Sequence, residues 1–331
     1  MEIIDVVGVD ISKLTIDVVL HQSNNYRKFE NTNKGFSILC KWALSHSGAK
    51  KENLLFVFEH TGLYSHQLAV YLSKNEYSFS IVPGLEIKRS LGIARGKDDK
   101  IDAAKIARYA YRLRDEILAT SLASDEIQNI KNLLTLRDRM VRQRAGYKTS
   151  LKEMKRILKV KENPILFSSQ QKVITSFDKQ IAKIEKCIDD IILNNEKLNE
   201  QYNLILSIRG IGPQTALNII VATSGFTKFK NSRCFASYCG IAPFPNSSGT
   251  SIRGRTKVSH LANKKIKSLL DLAAKSAIQH NPEMKIYYNK RIEEGKSKRS
   301  TINVIRNKLV SRIFAVINRR TPYVNIMNYA A

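Results

Sequence analysis

Two apolar runs, Ile3-Ile4-Asp5-Val6-Val7-Gly8-Val9 and Leu54-Leu55-Phe56-Val57-Phe58, each stop at a carboxylate. Asp10 closes the first and Glu59 the second. Short runs of this kind, without polar alternation, predict strands covered on both faces. They commit the first third of the chain to a sheet with helices packed on it. The neighbouring segments supply the rest. Residues 15–20 alternate and predict a second strand, hairpin-paired to the first across the Ser12-Lys13 turn, and residues 26–31 predict a third. Residues 36–44 read as a helix carrying Trp42, the only tryptophan. His60-Thr61-Gly62 is a turn before an amphipathic helix over 64–72, and residues 79–82 form a short strand closed by Pro83-Gly84. A basic loop with Lys88, Arg89, Arg95 and Lys97 leads into a last helix ending near Arg114. The order predicts a mixed α/β sheet with covering helices.

That last helix opens with Asp98-Asp99-Lys100-Ile101-Asp102-Ala103-Ala104. Asp99 and Asp102 are three apart and share a helix face, while Ile101, Ala104 and Ile106 are expected to pack on the core. Acids in a first turn are also ordinary partners of the helix dipole. What sets this pair apart is Asp10 and Glu59 at the carboxyl ends of neighbouring strands, where open α/β sheets place their sites. Carboxylates gathered at one point raise each other's pKa. A hard cation relieves that repulsion; Mg²⁺ is the natural occupant, with Mn²⁺ as the alternative. Two such ions about 4 Å apart stabilise both oxygens of an in-line phosphoryl displacement. The six histidines show no ligand or triad spacing, and His60, beside Glu59, is expected to be structural. Cys40, Cys187, Cys234 and Cys239 fit no zinc pattern and are expected to be reduced and buried.

The net charge of +26 over 331 residues exceeds anything folding requires and speaks of a polyanionic partner, DNA or RNA ahead of an anionic membrane. Residues 201–331 carry 22 Lys and Arg against 4 Asp and Glu, so most of the excess sits there. A hydrophobic content of 43% argues against disorder. The chain has no uninterrupted apolar run of about 18 residues, which predicts no membrane span, and its first residues lack a basic leader, which predicts a cytoplasmic protein.

Residues 119–200 change period. Ile127, Ile130, Leu134, Val141, Leu151, Met154 and Leu158 recur at helical intervals, Asn163-Pro164 interrupts, and Val173, Phe177, Ile181, Ile184, Ile188 and Ile191 follow near a heptad. This predicts two long antiparallel helices, a coiled-coil hairpin serving as spacer or oligomerisation arm. Its arginines 137, 139, 142 and 144 offer either a solvated face or a nucleic-acid contact. Further on, Arg209-Gly210-Ile211-Gly212-Pro213 lies between two helical runs, as in a helix–hairpin–helix element whose backbone amides meet a phosphate. Residues 242–255, with two prolines, two glycines and several hydroxyls, read as a loop. There Ser248 could attack or bind a phosphate whose oxygens Arg253 and Arg255 would clamp. Residues 261–320 are helical and basic, and Lys264 and Lys265 are among the side chains suited to backbone neutralisation. The resulting division is 1–118, 119–200 and 201–331.

Taken in order, Gly8-Val9-Asp10-Ile11-Ser12-Lys13, Phe58-Glu59-His60-Thr61-Gly62-Leu63-Tyr64 and Lys97-Asp98-Asp99-Lys100-Ile101-Asp102-Ala103 resemble the three acidic motifs of the DEDD transposases of bacterial insertion sequences. That family includes Piv-type DNA invertases and bridge-RNA-guided recombinases. Ile208-Arg209-Gly210-Ile211-Gly212-Pro213, Tyr238-Cys239-Gly240-Ile241-Ala242-Pro243 and Ser248-Gly249 are similar to the family's second domain. The resemblance implies a ribonuclease H-like first domain with Asp10, Glu59, Asp99 and Asp102 as metal ligands, Asp98 being the neighbouring alternative. It also implies a catalytic serine before a glycine, best matched by Ser248 with Ser247 as rival. A tetramer that completes one subunit's acids with another's serine domain, double-stranded DNA as substrate and a structured guide RNA in some members are implied as well. The expected activity is site-specific DNA recombination. The alternatives are inversion of a fixed target, a junction-resolving nuclease in which water attacks, and a non-enzymatic scaffold. A sugar-kinase-like protein would share the sheet order, but its further glycine-rich phosphate loops are missing from the sequence.

Overall fold

The computed structural model describes residues 2–90, 98–248 and 252–324; for Ser247, Ser248, Ile252, Arg253 and Arg255 it describes the backbone alone. The chain divides into two compact units, 1–122 and 123–331.

In the first unit, β1 (Asp5–Ile11), β2 (Thr15–Leu20) and β3 (Tyr26–Glu30) form an antiparallel meander, followed by α1 (Asn33–Ser47), β4 (Leu54–Glu59), α2 (Leu63–Lys74), β5 (Ser78–Val82), α3 (Gly84–Ser90) and α4 (Asp99–Arg112). The sheet order is β3-β2-β1-β4-β5, with β4 parallel to β1 and β5 parallel to β4. Each parallel crossover runs through a helix, α1 or α2, as parallel pairing requires. One face buries Val7, Val9, Ile16, Val18 and Phe58 with Phe36, Leu39 and Leu68 of α1 and α2. The other buries Val6, Leu55 and Val57 against Ile106, Tyr109 and Ala110 of α4. The central β1 and β4 are therefore covered on both sides, as their unbroken apolar runs require.

α4 comes closest to the sheet at Gly8. A Cβ built there would stand 2.4 Å from both the Ala103 carbonyl oxygen and the Ala107 amide nitrogen. Ala103 and Ala107, spaced by four, pack there with Val19 of β2. This contact rotates the helix away from the sequence expectation: Ala103 is fully buried, whereas Ile101 is 42% exposed. A single apolar residue ahead of the small-residue face does not set a helix's rotation; the backbone approach does. α3 is a second departure, because the basic segment after Pro83-Gly84 starts as a helix rather than a loop.

In the second unit, α5 (Asp125–Ile157) and α6 (Pro164–Leu193) are the long antiparallel pair. Ser124 caps α5, and Pro164 opens α6 at a position where its missing N–H costs nothing. Arg137 pairs with Glu185 at 2.7 Å and Arg144 with Asp178, so two of the four arginines fix the register of the hairpin. Arg139 and Arg142 remain exposed. The base of the hairpin, Ile127, Ile130, Leu134, Ile184 and Ile188, is continuous with the helical core of α7 (Glu196–Leu206), α8 (Pro213–Ala222), α9 (Ser232–Tyr238), α10 (Lys264–His280), α11 (Pro282–Glu293) and α12 (Lys298–Arg319). Its far end has a small cluster of its own, Leu151, Phe167 and Ile174.

Residues 243–248 and 252–258 are not the loop their composition suggests. β6 (Pro243–Ser248) and β7 (Ile252–Val258) form a two-stranded antiparallel ribbon with a register shift between Phe244 and Asn246. Both strands of such a ribbon are edges, which is where a sheet tolerates proline. Cys40 and Cys239 are buried, but Cys187 and Cys234 are exposed, against expectation; all four are free thiols. No helix among the described residues is long and apolar enough to cross a membrane.

Gly8→Val would drive a side chain into the backbone of α4. Overpacking of this kind costs about 2–3 kcal/mol. Trp42, buried in α1, reports on the first unit alone. Its fluorescence should show a lower urea midpoint in the variant; an unchanged midpoint would mean that helix and sheet are not in contact at Gly8.

Candidate active site

Asp10 is the next-to-last residue of β1, Glu59 the last of β4, and the parallel register pairs Val9 with Phe58, so the two acids leave the same edge of neighbouring strands. Asp99 and Asp102 lie in the first turn of α4, one turn before the Ala103–Ala107 contact that fixes the helix over β1. The carboxyl of Asp10, half-buried, is pushed up to about 6. Burial is the largest cause, followed by the charges of Asp99, Asp102, Glu59 and Asp17 in that order. The charges of Glu59, Asp99 and Asp102 thus all reach Asp10, as does that of Asp17, which sequence reasoning missed. Asp98 has a different task. It is the N-cap of α4 and accepts the Lys100 amide at 3.4 Å.

The acids share an edge without closing on a single point. Among the described residues, no three His, Cys, Asp or Glu side chains converge into a formed metal set. The Asp102 carboxylate instead takes the Lys105 ammonium at 2.7 Å, and the Glu59 carboxylate lies against Gly84 of α3. The donor chemistry nonetheless suits a hard divalent ion: four carboxylates, an Asp10 whose charge its neighbours oppose, and a lysine already drawn onto one of them. His60 makes a local contact, accepting the Gly62 amide at 3.3 Å through Nδ1.

Two signals could have exposed Asp17. The hairpin turn fixes the register, and the period of two then puts Asp17 on the same face as Asp10, directly opposite it. It is also the only charged residue in β2.

In the second unit, Gly210 (φ +100°) makes the turn between α7 and α8, where a side chain would collide with Ala277 of α10. Arg209 is exposed on this turn, and Gly212 leads into α8 with no side chain capping its first amides. Lys264 is exposed at the start of α10, whereas Lys265 is paired with Asp138 of α5. Ribbon register places Ser247 opposite Arg253 and Ser248 opposite Ile252. The side chains of Ser247, Ser248, Arg253 and Arg255 lie outside the described residues.

Residues 7–158 match a family model described as "Transposase" for DEDD proteins of the IS110 type, and residues 202–289 match one described as "Transposase IS116/IS110/IS902 family". The chain is similar to the pilin gene-inverting proteins of Moraxella bovis (29% identical) and Moraxella lacunata (28%), each over 324 residues covering 96% of this chain and 97% of the relative. It is also similar to the transposase for insertion sequence element IS1111A of Coxiella burnetii, 23% identical over 70% of this chain and 69% of that protein.

The linkage sign for Asp10 gives a direct check. Its folded-state value lies above the ordinary 3.8, so between about pH 4 and 6 the folded chain holds more protons than the unfolded one. Stability therefore falls as pH rises through that window. Asp10→Asn removes this penalty. With EDTA present at pH 8, the variant should be more stable by about 1–3 kcal/mol, allowing for partial exposure, and the advantage should vanish below pH 4. Urea titrations followed by Trp42 fluorescence measure it; a variant no more stable at pH 8 would show that Asp10 sits in no acidic cluster.

Proposed function

Since the chain belongs to the IS116/IS110/IS902 family of transposases and is a DNA recombination enzyme, we propose that it cuts and rejoins DNA at specific sites through a split centre, with Asp10, Glu59, Asp99 and Asp102 on one unit and Ser248 on the other. The observation that carries this reading is that the charges of Glu59, Asp99 and Asp102 all reach Asp10 at the edge of β1 and β4. The order β3-β2-β1-β4-β5, with its antiparallel meander and two parallel strands, supports a ribonuclease H-like first unit.

Asp10, Glu59, Asp99 and Asp102 would hold Mg²⁺, or Mn²⁺ in its place. The bound ions would supply Lewis-acid charge to the attacking and leaving oxygens of a scissile phosphate. The Ser248 hydroxyl gives up its proton and forms the new O–P bond; the P–O3′ bond breaks, and the 3′ oxygen leaves as a hydroxyl. The phosphoserine link conserves the energy of the broken ester, so the freed 3′-OH of a partner strand reverses the step to complete exchange. Arg253 and Arg255, on the strand opposite Ser248, would bind the non-bridging oxygens bidentately. The Arg209–Gly212 turn and Lys264 would hold the DNA backbone away from the cut, while Lys265 would do so only by leaving Asp138.

The helical hairpin, anchored at its base and carrying its own cluster at its tip, would space the subunits of a tetramer in which the ribbon of one subunit serves the acids of another. The excess of positive charge in residues 201–331 would serve DNA and, in an RNA-guided form, a structured RNA. One finding favours inversion of a fixed segment as the second reading. The near full-length matches include two proteins named as gene inverters, while the match to the IS1111A transposase is shorter.

Covalent trapping tests the centre. Incubated with Mg²⁺ and DNA carrying its recombination site, the protein should form an adduct stable to denaturant, and Ser247→Ala should form it too. Ser248→Ala should lose it, as should Asp10→Asn. An adduct persisting in Ser248→Ala would refute the serine assignment; strand cleavage without any adduct would establish water as the nucleophile.

A further inference from the structure

Asp17 has no part in the mechanism just described, yet it is the most deeply buried carboxylate at the site, 2% exposed. It stands directly opposite Asp10 in the β1–β2 pair, on the face covered by α4. Like charges in that position repel, and a buried carboxylate without partners would be costly. Its partners come from β3. The Tyr26 hydroxyl donates to Asp17 Oδ1 at 2.6 Å, and the Lys28 ammonium lies 3.4 Å from the same oxygen. Tyr26 in turn reaches α4: the Lys100 ammonium sits over its ring, 5.2 Å from the centroid, within cation–π range.

This chain of contacts ends where packing is weakest. In the first turn of α4, Asp99, Lys100 and Ile101 are exposed and Asp102 is half-buried; the fully buried residues of the helix begin at Ala103. The turn that carries two of the four acids therefore has no apolar anchor of its own. We propose that Asp17, Tyr26 and Lys100 are positioning residues, a strut from the strand beside Asp10 to the first turn of α4 that holds Asp99 and Asp102 where a divalent ion can bridge them to Asp10. The proposal rests on the acid-site reading above. The hydrogen bond to Asp17 pushes the Tyr26 hydroxyl up to about 12 and keeps its proton in place to donate.

The strut and simple electrostatics predict opposite signs for one substitution. Lys100 is a cation beside a cation site, so if charge alone mattered, Lys100→Ala would tighten metal binding. If Lys100 positions the turn, the same change weakens it. Titration calorimetry of the full chain with MnCl₂ reads the difference. Tyr26→Phe, which keeps the ring and loses the hydroxyl, and Lys100→Ala should each weaken Mn²⁺ binding by about 10-fold, the usual scale for removing a group that orients a ligand. Lys100→Arg, which keeps the cation over the ring, should restore it. Hydrogen exchange of the amides of residues 100–103 should be faster in Tyr26→Phe and Lys100→Ala without metal, while the urea midpoint of Lys100→Ala by Trp42 fluorescence stays at the wild-type value. DNA cleavage should need more Mn²⁺ for half-saturation and recover its rate at saturating metal. Tighter Mn²⁺ binding in Lys100→Ala overturns the strut, as does wild-type binding in both variants when Asp10→Asn has lost it; the acid site then stands without the strut. If Asp10→Asn binds Mn²⁺ as well as the wild type does, the acid-site reading fails and the strut fails with it.

Discussion

The approach of α4 to β1 at Gly8 governs the first unit. Only a residue without a side chain lets the helix backbone come within van der Waals distance of the strand, and only small residues at 103 and 107 let it stay there. That contact sets both the height and the rotation of α4. It thereby decides that Asp99 and Asp102, one turn earlier, face the strand end that carries Asp10. The acids oppose one another's charge: after burial, the largest cause, Asp99, Asp102 and Glu59 each raise the Asp10 carboxyl. Their proximity is imposed by packing elsewhere: the apolar clusters on the two faces of the sheet hold the scaffold, and the scaffold holds the charges together. This arrangement costs stability at Asp10, whose charged form is opposed by burial and by its acidic neighbours.

Much of this was legible in the sequence because burial on both faces leaves a plain signature. The unbroken runs ending at Asp10 and Glu59 fixed the two central strands, and the alternation in residues 15–20 fixed the hairpin and with it the antiparallel part of the sheet. Asn163-Pro164 marked the reversal between the long helices, since proline loses nothing at the first helical position. What escaped depended on contacts distant in sequence. Ile101 was expected inside because it is apolar, but the rotation of its helix answers to Gly8, more than ninety residues earlier. Asp17 was passed over because its importance comes from the register with Asp10 and from Tyr26, not from a motif of its own. The ribbon of residues 243–258 was hidden by two prolines, which argue against strands in the middle of a sheet but not in a two-stranded one.

The positive charge has more than one use. Arg137 and Arg144 pair across the helical hairpin, Lys265 pairs with Asp138, and Arg306 and Arg312 pair with Asp271 and Glu283 inside the helical unit. These cations are engaged in fixing register and packing, each exposed pair worth a fraction of a kcal/mol. Arg139, Arg142, Arg209 and Lys264 are left facing solvent. A count of lysines and arginines therefore overstates the surface available to a polyanion. The acids and the serine ribbon lie on separate units of the chain.

Crystals of the protein bound to DNA and grown with Mn²⁺ would test the central claim most directly, through the anomalous scattering of the ion. The account predicts a peak about 2.1 Å from carboxylate oxygens of Asp10 and of Asp99 or Asp102, the distance expected of a small hard cation, with Lys105 displaced from Asp102. Manganese bound elsewhere on the molecule, with Asp102 still held by Lys105, would contradict it.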